Sequence, residues 1–266
     1  MKNKLLAGIF AILVFTLMAG CTNDPDPDPT PTPNKGNPAS ALDWSKIIDY
    51  DKDEGDRILG TATAALDGTN GRYQETVLGN FFMDALAEYA RYVSGKKIDF
   101  ALFNDAFIRS FNNLPEGEIT NSTISVNGTD TVVVSTFTGK QVKDIIEGFV
   151  SSTASSTWAR GCAPMVSKEL SYTIDASTTP PQAKNIKVNG AAINETKEYR
   201  VAGGNFIGDN NTADRFIPIL PDEKKEKYAP TRVGWAVAMY IIAKGTINPA
   251  DYPVAKRITG IKPTIQ

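Results

Sequence analysis

Residues 131–147 read TVVVSTFTGKQVKDIIE, and this stretch decides the fold. TVVVSTF is rich in β-branched side chains, which pack well on a pleated surface, so it predicts a strand. Thr138 and Gln141 follow three residues apart. That is capping-box spacing: the hydroxyl takes an orphan amide of the first helical turn, and the glutamine side chain reaches back to the cap. The helix opened there carries Val142, Ile145, Ile146 and Phe149 on one inward face, the period of an amphipathic helix against a core.

Working outward, RILGTATAAL (57–66) alternates like a strand and DGTNG (67–71) reads as a turn. From Glu75 to Ser94 the pattern is helical, with Phe82, Leu86, Tyr89 and Val93 recurring on one face before Gly95 closes it. IDFALF (98–103) is a short apolar run suited to a strand buried on both faces. ELSYTID (169–175), KNIKVNG (184–190) and EYRVAGGNF (198–206) are strand-like and separated by Pro- and Asn-rich turns. A last helix is predicted from Thr231 to Lys244, ended by Gly245. No internal repeat is visible. Strands and helices interleave without a strict βαβ rhythm, so the expected class is α+β: a single domain with mixed β-sheets flanked by helices.

The N-terminal segment stands apart. MKNK gives a basic start, and LLAGIFAILVFTLMAG is an apolar stretch of signal-peptide length ending directly before Cys21. Residues 1–20 are therefore expected to be a bacterial lipoprotein signal, cut before a lipidated Cys21; the alternative is an N-terminal membrane anchor that stays attached. Residues 21–40 alternate Pro with Asp and Thr. Such a segment cannot bury enough apolar surface to offset its conformational entropy, so it is expected to be an extended tether. Residues 41–266 remain, long enough for one domain with a sizeable core. The implied location is the cell envelope, on a bacterial membrane.

Removing residues 1–20 takes away Lys2 and Lys4 and no acid, leaving 26 basic against 30 acidic residues, a net charge of −4. A mildly acidic chain without a basic block is a poor nucleic-acid binder. Cys162 is the second of two cysteines, so with Cys21 lipidated no internal disulfide forms, and Cys162 is expected to be a buried structural residue. The chain has no histidine. That removes Ser-His-Asp and Cys-His catalysis and every His-ligated metal site. The acids are scattered rather than clustered at metal-ligand spacing, so neither metal nor cofactor is expected.

Several blocks, taken in order, resemble one family: GRYQETVLGNFFMDAL (71–86), IDFALFNDAFIR (98–109), LPEGEIT (114–120), TVVVSTFTGKQVKDIIE (131–147) and EYRVAGGNFIGDNNTADRF (198–216). Residues 41–266 look like the C-terminal, substrate-binding domain of the 5′-nucleotidase family, here without the N-terminal dimetal phosphoesterase domain. The resemblance implies a nucleotide or nucleoside ligand, its base held by stacking and its phosphate or ribose by planar arginine forks. Position by position, Arg72 and Arg109 match family arginines near the substrate. Asn104 matches the asparagine that reads the base edge, Phe206 one clamp ring, and Asp214 an acid contacting the ribose. Four have a plainer reading: Arg72 solvated at a helix entrance, Asn104 in a turn, Arg109 paired with Asp105 or Glu116, Phe206 in the core; Asp214 is matched across two extra residues.

The departures matter equally. Three glycines of the family pattern are Asp105, Ala106 and Phe107 here, which fill a place where backbone approaches the ligand. The second clamp phenylalanine, which follows a proline in the family, falls on Asn127 and Gly128. The paired glycines before the acid become Asn211-Thr212-Ala213. Either Phe107 replaces the lost ring, or Asp105 and Phe107 fill the pocket and change its ligand.

Three functions are compatible. The chain is a non-catalytic nucleotide- or nucleoside-binding domain complementing a separately encoded metallophosphatase, or a surface lipoprotein that kept the fold and binds another ligand or partner. The third, an enzyme acting alone, fits poorly with a chain lacking histidine. The role of residues 222–266 stays open at this point.

Overall fold

The computed structural model describes residues 42–47, 55–105, 113–124, 130–152, 161–209 and 216–263. Strands β1 (Ile58–Ala62) and β2 (Leu66–Asp67) lead into helix α1 (Val77–Ser94). Next come β3 (Phe100–Phe103), β4 (Asn113–Leu114), β5 (Gly117–Thr120) and β6 (Thr131–Thr138), the last running directly into α2 (Gly139–Ser151). The middle holds β7 (Met165–Val166), β8 (Leu170–Asp175), β9 (Gln182–Val188), β10 (Ala191–Ala192) and β11 (Glu198–Gly204), then a single turn, α3 (Phe206–Asp209). The described chain closes with β12 (Lys225–Arg232), α4 (Val233–Lys244), β13 (Thr246–Ile247) and β14 (Ile258–Thr259).

The central sheet has the order β12-β6-β11-β3-β7. Strands β3 and β11 are parallel, with Val201 opposite Phe100, while β6 runs antiparallel to β11. A second sheet, β10-β9-β8-β14, a third, β13-β1-β5, and the pair β2-β4 complete the strands. Mixed sheets flanked by helices make the fold α+β. Helix α1 packs on α4 and against β3 and β7, while α2 packs on β9. All four residues of β3 are buried, as expected of a strand covered on both faces.

The local signals act as the sequence indicates. Gln141 N donates to Thr138 Oγ1 at 3.3 Å, and Gln141 Oε1 accepts from Thr138 N at 2.8 Å, so both halves of the capping box are formed. Helix α1 is capped by Thr76, whose Oγ1 accepts from Gly79 N at 3.1 Å. It ends at Gly95 with φ 60°, a left-handed conformation that a glycine adopts without strain. Cys162 is buried in the core.

Three boundaries differ from expectation. The strand predicted over 57–66 breaks into β1 and β2 because Thr63, Ala64 and Ala65 are all exposed, ending the alternation, and Leu66 pairs instead with Leu114. The last helix starts at Val233, because Thr131 of β6 pairs with Arg232 and keeps that residue in β12. The segment 198–206 stops being a strand at Gly204, and Phe206 begins α3.

The stretch after Asp222 is integral to the fold. Arg257 forks onto Asp84 of α1, with Nη1–Oδ1 and Nη2–Oδ2 both 2.8 Å, and also donates to the carbonyls of Asn80 and Val166. Glu75 accepts from the backbone amides of Lys256, Arg257 and Ile258 and from Asn80 Nδ2. Four donors on one buried carboxylate satisfy it without water. These contacts fasten the C-terminal segment to the start of α1.

Candidate functional site

Because β3 and β11 are parallel neighbours, their carboxyl ends reach the same edge of the central sheet, where antiparallel β6 begins. In open α/β sheets ligands bind outside the carboxyl ends of parallel strands, and the β3–β11 pair presents one such end in this mixed sheet. The topology brings four polar residues to that edge: Asn104 and Asp105 after β3, Asn205 after β11, and Asp130 before β6.

Gly204 lets these strand ends close up. A Cβ there would lie 2.7 Å from Phe103 Cε2 and 3.1 Å from Asp130 Cβ, so a larger residue would force the edge apart. Burial pushes the half-buried Asp130 carboxyl above its ordinary value. The Oδ1 of Asn205 is buried without a donor among the described residues. An unmet buried acceptor carries a desolvation cost until something donates to it.

Arg72 lies between the turn after β2 and the Thr76 cap of α1. Its Nη1 donates to Asp105 Oδ2 at 3.0 Å and its Nη2 to the Gly161 carbonyl at 3.1 Å. The side chains are 18% and 2% exposed, so Arg72 is not solvated at the helix entrance. Asp105, which the sequence offered as a partner for Arg109, is engaged by Arg72. A second cation stands close by: Lys262, 1% exposed, donates to the carbonyls of Val150 at 2.7 Å and Ser152 at 3.3 Å. Burial pushes its ammonium down, Arg72 adds to that effect, and Cys162 opposes it.

Asn104 is partly buried and engaged within the protein. Phe206 is 5% exposed, and its ring meets Phe103 edge-on, with centroids 4.9 Å apart at 90°. Phe107, Arg109 and Asp214 lie outside the described residues, as do Cys21, Asn127, Gly128 and residues 211–213. The structure thus brings Arg72, Asn104 and Phe206 around one sheet edge with Asp105. Asp130, Asn205 and Lys262 join this neighbourhood without having been singled out in the sequence. Only the placement of Asp130 directly before TVVVSTF and of Asn205 directly before Phe206 could have flagged two of them.

A surface depression of about 380 Å³ lies elsewhere, between α2 and the β9–β10 hairpin. Its two lysines are already paired, Lys143 with Glu195 and Lys184 with Asp175, and none of the residues above lines it. Among the described residues no group of three or more Cys, Asp or Glu side chains could hold a metal ion. Nor is any helix among them long and apolar enough to cross a membrane.

Fold and edge together define a small α+β domain whose candidate site is assembled at strand ends. The family model described as 5′-nucleotidase, C-terminal domain, matches residues 58–218, and the chain belongs to that family. Solved structures with the same fold include a 5′-nucleotidase precursor from Thermus thermophilus, at 22% identity and a TM-score of 0.63, covering 79% of this chain and 40% of that one. The NAD nucleotidase of Haemophilus influenzae is similar at 13% identity and a TM-score of 0.61, over 77% of this chain and 38% of that one. A putative 5′-nucleotidase from Staphylococcus aureus is similar at 14% identity and a TM-score of 0.59, over 77% and 41% of the two chains. This chain spans about two fifths of the length of those structures. No curated protein matches it.

Proposed function

We propose that the chain is a non-catalytic nucleoside- or nucleotide-binding domain, held on a bacterial membrane through Cys21 and the 21–40 tether, that complements a separately encoded metallophosphatase. The observation that carries this reading is the shared sheet edge: Asn104 follows β3 and Phe206 opens the turn after its parallel neighbour β11, with Arg72 bound to the adjacent Asp105, in a chain of the 5′-nucleotidase C-terminal family. The chemistry of cleavage would belong to the partner, since this chain has no histidine to ligate a metal or move a proton. Calorimetric titration of the detergent-solubilised full chain with adenosine, AMP and UDP-glucose tests the reading. A saturating heat with a nucleoside or nucleotide supports it. No heat at millimolar ligand, with the phosphatase both absent and present, removes it.

A second reading has an observation of its own. Asp105, standing where the family pattern has glycine, is paired with Arg72, which favours a surface lipoprotein whose ligand or partner differs from the family's. Binding of a non-nucleotide ligand that Asn104→Ala weakens would decide for it.

A further inference from the structure

We propose that Asp105 is a built-in counter-ion for Arg72, so that this corner of the domain refuses anionic ligands and admits neutral ones that donate hydrogen bonds. The inference rests on the nucleoside reading for its ligand, but its electrostatic core stands on the pair itself. An arginine beside a ligand crevice is normally a strong site for phosphate or carboxylate, because its planar fork matches two oxygens at once. Here one arm of the Arg72 fork holds the Asp105 carboxylate at 3.0 Å and the other the Gly161 carbonyl at 3.1 Å. Asp105 is 2% exposed, so water screens the pair little and the carboxylate offsets most of the Arg72 charge that an incoming anion would otherwise meet. An entering phosphate would have to displace a carboxylate already bound, and would meet that carboxylate's repulsion while doing so.

The rest of the edge has the same polarity. Asp130 presents a half-buried carboxyl, and Asn205 Oδ1 has no donor among the described residues. Both would accept from hydroxyl or amino groups, and neither would accept from a phosphate oxygen. Lys262 does not alter the balance, since its ammonium is turned to the Val150 and Ser152 carbonyls at the end of α2. The neutral ligand that fits is a nucleoside, with ribose hydroxyls and base amino groups as donors. The class of reaction that supplies a nucleoside from a nucleotide is phosphomonoester hydrolysis, which the separately encoded phosphatase of the proposed function would perform.

The test compares inorganic phosphate with adenosine on the detergent-solubilised full chain, as wild type, Asp105→Asn, Arg72→Gln and the double variant. Wild type should give no phosphate binding at millimolar concentration. Asp105→Asn removes the charge and keeps the shape, and should bind phosphate at least about tenfold more tightly than wild type, a gain that the double variant loses. Phosphate binding to wild type that Arg72→Gln abolishes would overturn the proposal without requiring any Asp105 variant to fold. A folded Asp105→Asn chain that binds phosphate no better than wild type would overturn it too. Phosphate gained by Asp105→Asn with no adenosine bound by any variant would leave the counter-ion standing and remove the nucleoside reading.

Discussion

Two arginine–carboxylate pairs in this chain use the same chemistry for different ends. Arg257 and Asp84 meet in a two-pronged fork, 4% and 6% exposed, with the carbonyls of Asn80 and Val166 taking further donors. Arg72 and Asp105 share a single contact at 3.0 Å beside the carboxyl ends of β3 and β11, with Arg72 18% exposed. The first pair ties the segment after β13 to α1, with both terminal nitrogens of the arginine spent on the protein's own oxygens. The second lies at the candidate site, beside the ends of β3 and β11. Both arginines spend their terminal nitrogens on the protein's own oxygens; what separates the pairs is that Arg257 is held by a two-pronged fork at 4% exposure, whereas Arg72 holds its carboxylate through one contact and is 18% exposed.

The comparison breaks most visibly under mutation. Asp84→Ala leaves a buried guanidinium unpaired, and should cost about 3–5 kcal/mol of stability in denaturant unfolding. A loss below about 1 kcal/mol would show that the Arg257 fork is not structural. Phe206→Ala removes a ring packed edge-on against Phe103 and should cost about 3 kcal/mol; if that ring also stacks a base, adenosine affinity falls as well, by about 1–3 kcal/mol. Asp105→Asn retains a hydrogen-bonding shape, so its stability loss should stay near 1 kcal/mol, while its ligand preference changes. A loss as large as that of Asp84→Ala would erase the distinction between the two pairs.

A third pair, Arg200 with Glu226, gives the smallest effect and a pH signature. Its hydrogen bond to Arg200, opposed by burial and aided by Tyr228 and Lys96, holds the Glu226 carboxyl down to about 2, against an ordinary value of 4.5. A lowered folded-state value means stability that is present above the unfolded value and lost as pH falls through the folded one. Between pH 4.5 and about 2, Glu226→Gln should therefore flatten the decline in stability. At neutral pH it should cost less than about 1 kcal/mol, because the pair is near the surface.

Much of the fold was legible in the sequence because its signals are local. The β-branched run 131–137, the Thr138–Gln141 box and the Gly95 stop each act within a few residues, and all three are found where expected. The site was legible only in part. Arg72 and Asn104 could be singled out by resemblance, but the partner of Asp105 could not be read, since Arg72 lies 33 positions away and no spacing rule links them. The same holds for Asp84 and Arg257, 173 positions apart. The apolar run of α4 is visible in the sequence, but nothing in the spacing of residues 245–266 shows that they are fastened to the start of α1. Phe206 looked equally suited to clamp and core, because an aromatic residue ending a strand is read the same way in both; the packing against Phe103 supplies what the pattern lacks.

A nucleoside site whose arginine is held by an internal anion should discriminate on the phosphate alone. The most direct measurement is paired calorimetric titration of the wild-type full chain with adenosine and with AMP, which differ only by the phosphate. The expected result is saturable adenosine binding, with AMP at least about tenfold weaker. AMP binding as tight as adenosine, or tighter, would contradict it.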